Sequence, residues 1–198
     1  MGTSGIRNTG VGLAVFVLVV AGCGKGGSVD SAASDQKAGA SSSATPAPTV
    51  VKLVGQADVE VTLTGPIAAK YSSATASQKK DLGKPLTGDR NAGTRDSGLV
   101  FQQFEGGVIT AKNDAAGTPA YITSGKIRDA WNVPRGPDGV PTVTGENGSA
   151  GPLGFPTSDV NAVGDLLVSN FEHGKIRYRE RTDQVEVTVN GKVVPTWL

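Results

Sequence analysis

One pattern occurs twice in this chain, and it restricts the fold more than any other feature. Leu82-Gly83-Lys84-Pro85-Leu86-Thr87 is followed by Phe104-Glu105-Gly106-Gly107-Val108-Ile109. Leu153-Gly154-Phe155-Pro156-Thr157-Ser158-Asp159 is followed by Phe171-Glu172-His173-Gly174-Lys175-Ile176. Ahead of each Leu-Gly stands an apolar pair at helical spacing: Ile67 with Tyr71 after Gly65-Pro66, and Ile127 with Trp131 after Gly125-Lys126. Pro66 suits a first helical turn, where its missing N–H costs nothing. The offset between copies runs from about 60 to about 71 residues. The extra length falls in the Pro/Gly-rich stretch 133–151, as expected of a loop insertion. Two copies are few for an open solenoid or propeller, so either the flanking segments are expected to cap them or the domain to associate with a partner.

Those flanks read as hairpins. Val59, Val61 and Leu63 alternate with Asp58, Glu60 and Thr62, the period of a half-buried strand, and Val50 to Val54 precedes them across Gly55-Gln56. At the other end Val185, Val187 and Val189 alternate, then Asn190-Gly191 leads into Lys192-Val193-Val194. Asn-Gly between two such runs signals a type I′ turn, and Pro195 blocks an inner strand beyond it. The two terminal hairpins are expected to pair and close one domain over 50–198. The fold class is therefore α+β: short antiparallel strands with one short helix per unit, the units spanning about 65–124 and 125–189.

Leu and Phe two apart with Gly between them can share one face of a turn whose backbone Pro fixes. Thr157, Ser158 and Asp159 offer oxygens to nearby N–H groups. Gly107 and Gly174 read as tight turns that need glycine's conformational freedom before a strand. Leu153, Phe155, Phe104 and Phe171 are expected in the core.

The one cysteine, Cys23, ends Val20-Ala21-Gly22-Cys23 behind Arg7 and the apolar run Val11 to Val20. This resembles the lipobox of a bacterial lipoprotein signal over residues 1–22. An apolar run of that length is too short for a transmembrane helix, which needs about 20 residues. Diacylation of Cys23 would anchor the chain through buried CH₂ groups worth ~0.8 kcal/mol each. The myristoylation pattern fails because Ile6 stands where Ser or Thr is required. Residues 23–49, rich in Gly, Ser, Ala and Pro, read as a tether with little to bury. The net charge of +1 argues against nucleic acid and against charge-driven lipid docking.

The tandem, above all Leu153 to Asp159 with its Phe-Glu-x-Gly-x-Ile element, resembles the LGFP repeat of mycolate-bearing actinobacteria. The second copy is the clearer match; the first departs at Lys84 and Leu86. The resemblance covers roughly Gly65 to Ile176. It implies an exported envelope protein, a link to the cell wall with arabinogalactan as the polymer, and no catalytic residues in the repeat. Such repeats also occur beside mycoloyltransferase or amidase domains.

No catalytic set competes with this. His173 is the only imidazole and takes the place of Gly106, which reads as an exposed turn. Asn147-Gly148-Ser149-Ala150-Gly151 lacks the strand and helix that aim a nucleophile serine. One His and no spare Cys exclude the usual zinc sets, Asp89 and Asp96 are too sparse for a calcium loop, and Gly136-Pro137-Asp138-Gly139 is a turn without phosphate-binding context. The expectation is a non-enzyme without cofactor or metal. Sugar binding would draw on the rings of Trp131, Phe155, Tyr178 and Trp197, with Asp159, Asn161 and Asn170 as hydrogen-bonding partners. A holder for an envelope enzyme near the membrane is the alternative.

Overall fold

The computed structural model describes residues 49–198, which belong to one compact unit. Cys23, the signal segment 1–22 and the tether up to residue 48 lie outside the described residues. The chain is mixed α+β and mostly β. A hairpin of β1 (Val50–Val54) and β2 (Glu60–Thr64) leads into α1 (Gly65–Ser73) and α2 (Ala76–Leu82). An antiparallel sheet follows, β3 (Ala92–Thr94), β4 (Val100–Gln103), β5 (Gly107–Ala111) and β6 (Ala120–Ser124), paired in sequence order. Then come α3 (Gly125–Trp131) and a second antiparallel sheet. Its strands are β7 (Asn161–Val163), β8 (Leu166–Phe171), β9 (Gly174–Arg179), β10 (Gln184–Val189) and β11 (Lys192–Val194).

Each strand-to-helix corner is built alike. Thr64 and Ser124 are extended, and Gly65 and Gly125 then take φ of 56° and 54°, a left-handed step that turns the chain into the helix. Instead of one helix per unit, the first unit has two. The signal for α2 is Thr75-Ala76-Ser77-Gln78: Thr75 Oγ1 accepts from Gln78 N (3.1 Å) and Gln78 Oε1 accepts from Thr75 N (3.0 Å), a reciprocal capping box.

The four-stranded sheet is buried on both faces. Phe104, Ile109, Ala111 and Ile122 join Ile67, Ala68 and Leu82 from the helices and Leu63 from β2. Leu99, Phe101 and Val108 point the other way, toward Ile127 and Trp131 of α3, Leu153, Phe171, and Ile176 and Val187 of the second sheet. Tyr71 stacks on Phe104 with centroids 5.8 Å apart, and Trp131 lies against Phe171 at the same separation. Such pairs add about 1 kcal/mol beyond the area they bury.

The terminal hairpins do not pair with each other. β1 and β2 form a sheet of their own, and β11 extends the second sheet on β10. Asn190 and Gly191, at φ 48° and 78°, make the tight turn between β10 and β11. The insertion at 133–151 is organised by Arg135, whose backbone bridges to Pro141 and Glu146. Arg135 is 2% exposed, its guanidinium donates to Gly139 O (2.9 Å) and Pro195 O (2.8 Å), and burial lowers its pKa.

Gly107 and Gly174 have ordinary negative φ; crowding is what demands glycine there. A Cβ would collide with Thr123 O at the first and Thr188 O at the second, and would press on Leu82 and Leu153. The same holds at Gly106, where a Cβ would sit inside contact distance of Asp81 O at the end of α2. His173 occupies the matching turn without obstruction and is exposed. Gly106→Ala is expected to cost about 1–3 kcal/mol by overpacking, whereas His173→Ala changes stability by less than about 0.5 kcal/mol. Urea unfolding of the two variants makes the comparison.

Candidate functional site

The two Leu-Gly-x-Pro turns are closed by one device. Gly83 and Gly154 take φ of 71° and 72°. Glu105 Oε2 accepts from Lys84 N (3.0 Å) and Glu172 Oε2 from Phe155 N (3.2 Å). In return Glu105 N donates to Lys84 O and Glu172 N to Phe155 O, both at 3.0 Å. The next residue closes the bracket, Gly106 N donating to Leu82 O (2.9 Å) and His173 N to Leu153 O (3.1 Å). Position x of the turn thus contributes only backbone, so its side chain is free to differ. In the first copy it is the exposed Lys84, in the second the half-buried Phe155.

Phe155 therefore projects beside the turn. A cleft of about 380 Å³ runs under it, walled by Tyr121, Pro119 and Pro156 and rimmed by Asn113, Thr118 and Thr157. Lys112 Nζ sits 5.2 Å from the Phe155 ring centroid and pairs with Glu172 at 2.8 Å. That hydrogen bond, with a smaller contribution from Phe155 N–H, holds the Glu172 carboxyl below its usual value. Tyr121 shares a cross-strand row with Phe101 and Thr110, a placement set by strand register that the residue pattern alone does not carry.

The other candidate residues do not converge here. Trp131 is 5% exposed and its indole N–H donates to Gly154 O (3.1 Å), a core assignment. Asp159 ties the turn to the rest of the fold: Oδ1 accepts from Ile122 N (2.8 Å), and Oδ2 accepts from Gln78 Nε2 (3.3 Å) and pairs with Lys70. Asn161 donates to Asp159 O (2.8 Å), and Asn170 N donates to Ser158 Oγ (2.9 Å). Tyr178, half-buried on β9, donates its hydroxyl to Asp183, which raises its pKa. Trp197 is 57% exposed beyond β11. Ser149 lies in a 3₁₀ turn, its Oγ 3.5 Å from Ser97 Oγ. Among the described residues no group of three or more His, Cys, Asp or Glu is placed to hold a metal ion, and no helix is long and apolar enough to cross a membrane.

The class of protein follows from these turns: a mostly β chain built on carboxylate-bracketed Leu-Gly-x-Pro units. Residues 82–139 match the LGFP repeat family, a domain found in cell-wall-associated proteins. The matched segment runs from the Lys84 copy of the turn through β3–β6 and α3 into the insertion, less than half of the chain. A comparison with curated proteins returned no match.

Two outcomes test this geometry. Asp159→Ala is expected to lose about 2 kcal/mol of stability in denaturant unfolding, because it strands Ile122 N–H and Lys70. For Glu172, the folded pKa lies below the unfolded carboxylate value of about 4.3. Its contribution is therefore complete above that value and lost as pH falls through the lower folded one. The stability difference between wild type and Glu172→Gln should be largest near neutral pH and shrink steadily below about pH 4.

Proposed function

We propose that this protein is a non-catalytic envelope lipoprotein, anchored through acyl chains on Cys23, whose LGFP-type units bind cell-wall polysaccharide. The polymer the family resemblance implies is arabinogalactan. The observation that carries the reading is the cleft at Phe155: an aromatic ring beside Tyr121 and two prolines, rimmed by the neutral polar side chains Asn113, Thr118 and Thr157. Sugar rings present apolar faces and a belt of hydroxyls, the chemistry such a surface complements. Lys112, with its side chain 64% exposed, swings off the ring at small cost, since exposed ion pairs contribute little. We take residues 125–189 as a second LGFP-type unit that follows a first over about 65–124. The support is the shared bracket, the shared left-handed glycine and the shared aromatic contact with the preceding helix.

A second reading, a holder for an envelope enzyme, draws on a different surface. Val193, Trp197 and Leu198 are more than half exposed beside the β11 edge, where an apolar protein partner would find area to bury.

A full-length chain carrying Cys23→Ser, which cannot be acylated, is expected to sediment with insoluble arabinogalactan–peptidoglycan independently of salt. Phe155→Ala should weaken retention about fivefold, the loss of about 1 kcal/mol of stacking. Absence of retention by the parent chain would move the assignment to the protein-partner reading.

A further inference from the structure

A second cleft lies on the same face of the four-stranded sheet, on the far side of Thr110 from Phe155. The register row Phe101–Thr110–Tyr121 crosses β4, β5 and β6. Tyr121 opens into the cleft already described, Phe101 into this one, and Thr110 lines both. The floor is Leu99, Phe101 and Val108 with the edge of Trp131, whose N–H is already engaged by Gly154. The rim comes from two loops far apart in sequence, 95–97 in the first unit and 147–150 in the insertion. Ser97 Oγ and Ser149 Oγ approach to 3.5 Å across it, and the Arg95 guanidinium lies over the Phe101 ring at 4.8 Å.

Two side-chain oxygens in this wall have no hydrogen-bond partner among the described residues: Thr110 Oγ1, on a residue 2% exposed, and Gln103 Oε1. A buried oxygen left unpaired costs about 1–3 kcal/mol, so two at one cleft point to a group that supplies the missing bonds. The space measures about 240 Å³. That corresponds to about eight waters and lies below the roughly 300 Å³ of drug-sized sites. That size matches one small ring. The rim provides donors and acceptors of both charge signs, with Arg95 beside Asp96, and the insertion's Asn147 is held there by donating its side-chain amide to Asn132 O (3.0 Å). Such a rim suits a neutral ligand with several hydroxyls.

We infer that this cleft is a subsite for a single neutral polyhydroxylated ring, one pentose or hexose residue of a glycan, with Thr110 and Gln103 hydrogen-bonding its hydroxyls. The inference rests on the polysaccharide reading. It adds a subsite, distinct from the Phe155 platform, to which the insertion at 133–151 contributes half of the rim.

The chain has two tryptophans, 131 and 197. In full-length protein carrying Cys23→Ser and Trp197→Phe, Trp131 therefore reports on the cleft alone. Titration with methyl arabinofuranoside and methyl galactofuranoside, each too small to span both clefts, should give a saturable change in its emission. Thr110→Val keeps the shape and removes the unpaired hydroxyl. It should leave the unliganded protein as stable or more so while weakening binding at least about fivefold. Asn147→Ala, which frees the loop 147–150 from Asn132 O, should weaken binding similarly. No saturable response up to about 100 mM, with retention on the polymer intact, would overturn the subsite and leave the polysaccharide reading standing. A response unaltered by Thr110→Val and Asn147→Ala would also overturn it. Ring binding without polymer retention would keep the subsite and remove the wall-binding reading.

Discussion

The fold depends on a carboxylate that closes a four-residue turn. In each unit a glutamate at a hairpin tip reaches back to the backbone N–H of position x in Leu-Gly-x-Pro, while its own N–H and the next one return to the turn's carbonyls. Three bonds, one of them charge-assisted and stronger than a neutral one, hold two chain segments about twenty residues apart. The consequence is apolar as much as polar. With the turn fixed, Leu82 and Leu153 are driven beneath the hairpin and become 0% and 2% exposed. Glycine is required after the hairpin tip because the leucine and a neighbouring strand's carbonyl occupy the space a Cβ would take.

That device makes a unit but not a closed core. The sheet β3–β6 has apolar residues on both faces and depends on α1 and α2 for one and on α3 with the second sheet for the other. The sheet with its own two helices therefore cannot bury both faces alone. The ends are finished differently from the middle. The free edge of β6 is covered by the next turn, Val160 N donating to Ile122 O while Asp159 accepts from Ile122 N. On β10 the same edge is occupied by β11, delivered by the Asn190-Gly191 turn. The hairpins therefore cap separate ends, and a sheet joining them has no place in the arrangement.

Much of this was legible from residue patterns because the signals were local. The alternation in β2 and β10, the Asn-Gly turn and the apolar pairs in α1 and α3 each determine an element within a few residues. The boundaries of α2 were legible too, from Thr75 and Gln78, but a seven-residue helix with one buried residue carries no amphipathic pattern to draw notice. What could not be read was set by non-local crowding and pairing. The sequence does not tell that Gly106 sits against the end of α2, that Arg135 would be buried between backbone carbonyls, or that Asp159 would serve Ile122 across the two units. The aromatics show the limit most clearly. Trp131 and Phe155 are equally plausible stacking rings as letters, yet one is core and the other stands at a cleft, because one lies on the covered face of α3 and the other at the backbone-only position of the turn.

The same distinction bears on the proposed glycan surface. Where the two units agree, in Leu, Gly, Pro, Phe, Glu and the glycine after the hairpin tip, the residues are consumed by the bracket and the core. Where they differ, the side chain is released from that duty: Lys84 against Phe155, Gly106 against His173, and the insertion that only the second unit carries before its turn. Phe155 and the insertion's Asn147 and Ser149 are the parts that line the two clefts, and Thr110 on the sheet of the first unit separates them. A glycan laid along this face would meet one ring platform from the second turn and one smaller cleft rimmed by the insertion. Recognition would thus be divided between units whose frameworks are the same.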